Sequence, residues 1–179
     1  GNARVAISCP PRHGKTELLA HWLPLWLWSI RPSARIGLVS YSERLVRQAG
    51  RRLRNALKSH GRVFGVELAE DSAAVDQFAT TVGGGFLGTP LGGGVTGFGF
   101  DLLLVDDTTK GFLEAFSPHW QETIGEKWAS DLSTRIEPGG SVVALQTRWH
   151  ARDLLGQLVA DEPDRWEEIV LPALAEEDD

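Results

Sequence analysis

Short apolar runs alternate along the chain with stretches of helical period, and that alternation predicts the fold class. RVAIS (4–8), RIGLVS (35–40), DLLLVDD (101–107) and SVVALQT (141–147) are continuous rather than alternating, as strands buried on both faces of a sheet are. Between them lie predicted helices: Thr16 to roughly Ile30, kinked or broken by Pro24; about 43–59, with Ser42 as N-cap; roughly 117–135; and about 151–160. The turn EPGG (137–140) is expected to lead into the strand at 141, and EEIVLP (167–172) follows the last helix. QFATTV (77–82) and the glycine-dense 83–99 read as two short strands with tight turns, or as a mobile loop over a site. The pattern is that of an α/β domain with a mainly parallel central sheet flanked by helices. No internal repeat is visible, and EEDD (176–179) frays into what reads as a linker.

The helix at 43–59 carries a second pattern. At about 100° per residue, Arg44, Arg47, Arg51, Arg54 and Lys58 fall within roughly 80° of one another. Leu45, Val46, Ala49, Leu53, Ala56 and Leu57 cover the opposite face. A solvated face and a nucleic-acid-facing stripe both fit this charge. The whole chain is similarly divided: residues 1–62 hold 12 basic and two acidic side chains, residues 63–179 six and 22. The net charge of −6 therefore hides a dipolar chain, a pattern associated with a polyanion-facing side.

Composition bounds the rest. At 179 residues, 42% hydrophobic and 23% charged, the chain is one globular domain with room for a substantial core. A single cysteine excludes an internal disulfide and fits a reducing compartment. The longest apolar stretch, 18–30, is too short to span a bilayer and contains His21 and Pro24. No signal-peptide pattern opens the chain, and with no methionine anywhere Gly1 reads as a cut end.

The chemistry is concentrated in two places. CPPRHGKTE (9–17) follows a strand and opens a helix, as a phosphate-binding P-loop does. Gly14, Lys15 and Thr16 fit the second half of G-x-x-x-x-G-K-[ST], but Cys9 stands where the first glycine belongs. A P-loop alone cannot hydrolyse anything; a carboxylate strand must complete a metal shell and polarise a water. LLLVDD supplies that strand, with Asp106 for Mg²⁺ and Asp107 placed as the base. None of the five histidines has metal-site company.

The order CPPRHGKTE, VSYSERL, GGGVTGFGFDLLLVDD, TRIEPGGSVVALQTRWH and LPALAEEDD resembles the ATPase domain of tailed-phage large terminase subunits, from about Arg4 to Asp179. The resemblance implies an ASCE-type P-loop NTPase that hydrolyses ATP with Mg²⁺ and drives double-stranded DNA into a prohead. It further implies non-specific DNA contact, copies of itself in a ring, a portal protein and a small terminase subunit as partners, no membrane, and the bacterial host's cytoplasm. Residues 1–172 would be the ATPase domain and 173–179 the start of a linker to a nuclease domain outside this chain. An adenine-contacting segment that such proteins carry before the P-loop strand would also lie outside it.

Carried over residue by residue, Pro11, Arg12, His13, Gly14, Lys15, Thr16 and Glu17 line the nucleotide. Lys15 contacts the β- and γ-phosphates; Thr16 and Asp106 hold the metal. Asp107 takes the place of the catalytic carboxylate, on an arm shorter than the usual Glu. Gln146, Thr147 and Arg148 resemble the coupling motif, with Thr147 and Arg148 near the transferring phosphate. Relatives often carry Arg in the glycine-rich segment, where this chain has Phe98, leaving Arg12, Arg135 and Arg148 as rival charge-neutralising residues. Plainer readings stand beside these. Arg12 and His13 fit exposed loop positions, Asp107 a turn cap, and Arg148, Trp149 and His150 a packed strand end. Glu17 fits an electrostatic role at the helix N-terminus. Trp22, Trp26 and Trp28 read as core, and Cys9 as a small buried residue. Another P-loop DNA translocase or helicase, or a degenerate nucleotide-binding assembly module without turnover, are the alternative functions.

Overall fold

A computed structural model of the chain describes residues 2–70, 74–95 and 97–174. Seven strands form one sheet in the order β3-β4-β2-β5-β6-β1-β7. They are β1 (Arg4–Ser8), β2 (Arg35–Ser40), β3 (Gln77–Ala79), β4 (Gly85–Pro90), β5 (Phe100–Asp106), β6 (Ile136–Gln146) and β7 (Glu167–Val170). All pairings are parallel except β3 with β4. The helices are α1 (Lys15–Glu17), α2 (Leu23–Ile30), α3 (Glu43–Phe64), α4 (Phe112–Ala115), α5 (Pro118–Lys127) and α6 (Leu154–Asp161). The carboxylate strand β5 is not next to the P-loop strand β1; β6 lies between them.

The continuous apolar runs are explained by two cores. Ile36, Leu38, Leu102, Leu104 and Leu145 face one side of the sheet, under α2 and α3. Val39, Leu103, Val105, Val142 and Ala144 face the other, under α5 and α6. Successive side chains of a strand point to opposite faces, so only a sheet covered on both needs leucine or valine at every position.

Several elements depart from the sequence reading. The 16–30 helix is divided by a π-helical turn, Leu18–Trp22, and Pro24 falls in the first turn of α2. Proline has no N–H and crowds the carbonyl four residues back, so the wider turn before it lets the chain continue. α3 runs to Phe64, not 59, and ends where Gly65 adopts φ 68°, with Val66 N donating to Gly61 O at 2.9 Å. Ser42 is its N-cap residue, but the hydroxyl makes no capping bond. The 117–135 helix is α5 followed by a π-helical stretch (Trp128–Leu132) and a 3-10 turn (Ser133–Arg135).

EPGG is not a turn before a strand but a bulge within one. β6 begins at Ile136, opposite Phe100, and the register slips until Ser141 meets Leu102. The glycine-dense segment contributes β4, the two-strand alternative, and Gly88 is needed there: a Cβ would lie 2.5 Å from Val46 of α3. Of the three tryptophans read as core, only Trp28 is buried, its Nε1 donating to Ala34 O at 2.9 Å. Trp22 and Trp26 are 56% and 58% exposed. Cys9 is buried, as read. The linker expected over 173–179 lies, from 175 on, outside the described residues.

Candidate functional site

Parallel pairing brings the chemistry together. The register sets Ser8 beside Gln146, Leu145 beside Asp106, and Asp106 beside Ser40. The ends of β1, β6, β5 and β2 therefore form one level at the carboxyl edge of the sheet, where α/β folds place their sites.

The loop after β1 is shaped by two left-handed residues, Arg12 (φ 66°) and Gly14 (φ 75°). Gly14 precedes α1, and Leu18 N donates to its carbonyl at 3.0 Å. No atom lies within 4 Å of where its Cβ would be, so the backbone angle and not space calls for glycine. Cys9, by contrast, is not among the positive-φ residues, and its N–H donates to Gln146 O at 3.2 Å. At that position the loop asks for no glycine, which removes the one mismatch with the P-loop pattern. Pro11, Arg12, His13, Gly14 and Thr16 are exposed along the loop, and Pro11 O accepts a hydrogen bond from His13 Nδ1 at 2.9 Å.

Lys15 is buried, and its ammonium joins all three segments. Nζ lies 2.8 Å from Asp107 Oδ1, 2.6 Å from Asp107 Oδ2 and 2.6 Å from Thr147 Oγ1. Thr147 N donates to Asp107 Oδ1 at 2.8 Å, closing the triangle. Asp107 holds φ 41°, an uncommon angle for a residue with a side chain, fixed by Asp107 N on Leu145 O and Tyr41 N on Asp107 O. Such strain persists where surrounding bonds over-determine it, and it gathers at functional sites.

Asp106 differs from its neighbour in every respect. It is 2% exposed, and its Oδ1 has no hydrogen-bond partner. Burial raises its pKa to about 6, a rise opposed by a hydrogen bond from Thr16, supported by the charge of Asp107 and opposed by Lys15. Ser8 Oγ, Ser40 Oγ and Gln146 Nε2 are also buried without partners. Unsatisfied buried groups are rare, and Asp106 and Ser40, paired in register on one face of the sheet, place two of them side by side. The Thr16 hydroxyl and the free Asp106 oxygen are hard oxygen donors of the kind that suit Mg²⁺, which takes few protein ligands beside phosphate.

Other residues on the sequence-based list face elsewhere. Glu17 pairs with Arg52 of α3, and that hydrogen bond lowers its pKa. Arg148 Nε donates to buried Asp153 at 3.1 Å, with its Nη1 3.7 Å from Glu168. Asp153 also caps α6 through Gly156 N at 3.0 Å, so this arginine is anchored at a helix start rather than on the Lys15 triangle. Arg135 precedes β6 at the opposite end of the strand from Gln146, about 25 Å along it. Phe98 packs against Phe100, ring centroids 5.3 Å apart. The Glu17–Arg52 pair was not legible in the sequence, because its partners are 35 residues apart on different helices.

Residues 6–179 match the family described as Terminase large subunit, T4likevirus-type, N-terminal. No curated protein is similar in sequence. The crystal structure of the HK97 bacteriophage large terminase superposes with a TM-score of 0.64 at 15% identity, over 97% of this chain and 37% of that one. The large terminase of a thermophilic bacteriophage in complex with ATP-gamma-S gives 0.56 at 12%, over 95% and 39%. A mutant of the Thermus phage P74-26 large terminase ATPase domain gives 0.57 at 13%, over 94% and 75%. At these identities the likeness is one of fold. The chain spans under two fifths of the first two proteins.

Proposed function

The chain belongs to the N-terminal-domain family of T4likevirus-type terminase large subunits, and on that premise we propose that it is the Mg²⁺-dependent ATPase module of a DNA-packaging motor. The observation that carries this reading is the meeting of Lys15, Asp107 and Thr147 beside a buried, half-satisfied Asp106. The ATP-gamma-S held by a fold relative supports the nucleotide.

In this reading the γ-phosphate of ATP meets the exposed arch of residues 11–14, and Lys15 turns its charge from Asp107 to phosphate oxygens. That exchange frees a carboxylate oxygen of Asp107 to hold the attacking water in line with the phosphorus. Thr147 N remains on Asp107, so a change at the base is felt at the tip of β6. Arg12, exposed at the crest of the loop, neutralises charge on the transferring group. Thr16 and Asp106 would hold Mg²⁺, which would supply charge neutralisation for the phosphates. DNA, further copies of the chain, a portal protein and a small subunit are the partners this reading implies, in the cytoplasm of a bacterial host. Residues 1–172 would be the motor domain and 173–179 the start of its linker.

Phosphate release with and without Mg²⁺ and DNA tests the proposal. Lys15→Ala should abolish turnover, and because it also leaves Asp107 without its ion pair it should lower the thermal transition of the nucleotide-free chain. Asp107→Asn should still bind ATP yet stall hydrolysis. Turnover unchanged in Lys15→Ala rules out the P-loop assignment. A wild-type chain that binds ATP without any turnover is the degenerate assembly module, and ATP-driven strand separation identifies a helicase instead.

A further inference from the structure

The charges of this chain are segregated in space as well as in sequence. α3 carries seven basic side chains between Arg44 and Arg62 against Glu43 alone. Arg44, Arg47, Arg51 and Lys58 are exposed. Arg47 is held loosely, 3.5 Å from Glu43 and 3.9 Å from Asp76, while Arg44, Arg51 and Lys58 have no acidic partner among the described residues. The opposite sign gathers over residues 161–168, which hold five carboxylates and only Arg165. Glu162 takes Arg165 at 2.7 Å and Glu168 lies 3.7 Å from Arg148; Asp161, Asp164 and Glu167 are exposed with no ion pair among the described residues.

The fold sets these patches far apart. α3 packs on β2 and β4 on one face of the sheet; α6 packs on β1 and β6 on the other. β2 and β7 are four strand spacings apart, about 19 Å, so the two patches are diagonally opposed. Among the described residues β7 pairs only with β1 and forms the sheet edge, with Val170 63% exposed. An edge strand bearing exposed β-branched residues is one that proteins usually cover.

We propose that the basic face of α3 docks on the acidic α6–β7 edge of a second copy of this chain, head to tail. Two patches on opposite faces cannot both be used in one two-fold interface, so the contact is heterologous and a pair of copies keeps one free patch of each sign. Duplex DNA could take the α3 stripe, but it would leave the acidic edge and β7 uncovered on a chain whose net charge is −6. A second copy covers both. This docking deepens the motor reading, in which copies act together, and rests on it. It also places the contact near the nucleotide, because Arg52 on α3 is paired with Glu17 in the P-loop helix.

The test is a charge swap in the full-length protein, reading oligomer mass and DNA affinity on each preparation. The double variant Arg44→Glu, Arg51→Glu should weaken self-association on the order of tenfold, as should Asp164→Lys with Glu167→Lys, with unfolding midpoints unchanged. Mixing the two variants should restore association, since each supplies the face that the other has lost reversed. High salt should weaken the wild-type contact. Absence of rescue, or lost DNA affinity with self-association intact, overturns the proposal, the latter making α3 a DNA track. ATP turnover on the same samples keeps the two readings apart: a wild type that turns over ATP but stays monomeric at every concentration overturns the docking alone.

Discussion

Asp106 sits at the end of an apolar strand with one oxygen unbonded, and its raised pKa has a consequence for stability that can be measured without substrate. A carboxyl group whose folded pKa lies near 6, above its ordinary 3.8, holds its proton more tightly in the folded chain than in the unfolded one. Its favourable contribution is therefore complete below the lower value and is lost as pH rises through about 6. In metal-free protein, Asp106→Asn should raise the unfolding free energy at pH 8, by up to about 3 kcal/mol, with the gain shrinking towards pH 4. Paired urea titrations of wild type and variant across that range provide the check, and a gain independent of pH excludes the linkage. The same variant should lose Mg²⁺-dependent ATP binding. Asp107, one residue on, is engaged on both oxygens by Lys15 and on one by Thr147 N, so adjacent aspartates serve different ends. The sequence placed both at a strand end; which faced the lysine depended on the left-handed turn at Asp107.

Two helix starts show how an element's stability depends on what its cap touches. Ser42 and Asp153 both occupy N-cap positions with extended backbone. The Ser42 hydroxyl makes no cap bond, so Ser42→Ala should cost at most a few tenths of a kcal/mol instead of the usual ~1. Asp153 is buried and accepts from Gly156 N, Trp149 N, His150 N and Arg148 Nε. Asp153→Ala removes the acceptor of an arginine Nε and three amides and should cost roughly 2–3 kcal/mol in denaturant unfolding. Equal costs at the two caps would contradict this division. The capping residue types were legible in the sequence. The hydrogen bonds were not, because they depend on how the preceding loop enters the helix.

Across the whole molecule, the two-sided core assigns unequal weight to the tryptophans of one helix. Trp28 is enclosed and stands near Phe78, centroids 6.2 Å apart, whereas Trp22 and Trp26 lie on the outer side with exposed Leu18 and Ile30. Trp28→Ala should destabilise by about 3–5 kcal/mol, and Trp22→Gln with Trp26→Gln should leave the unfolding midpoint nearly unchanged. Near-equal losses in thermal unfolding would mean that the outer pair is packed in solution. The sequence by itself determined the parallel α/β fold, since unbroken apolar strands alternating with helices have few other ways to be covered on both faces. It also determined the GKT loop and the aspartate pair, whose spacing along the chain is local. Tertiary structure alone decided that β6 stands between β1 and β5, because strand order is not encoded by period or spacing. That order brings Thr147 onto Lys15 and Asp107, and the packing of helices on the sheet pairs Glu17 with Arg52 and leaves Trp22 outside while Trp28 is buried. Each of those contacts depends on which surfaces meet after the sheet has formed, and a helix's own periodicity cannot say which of its apolar residues will find a partner.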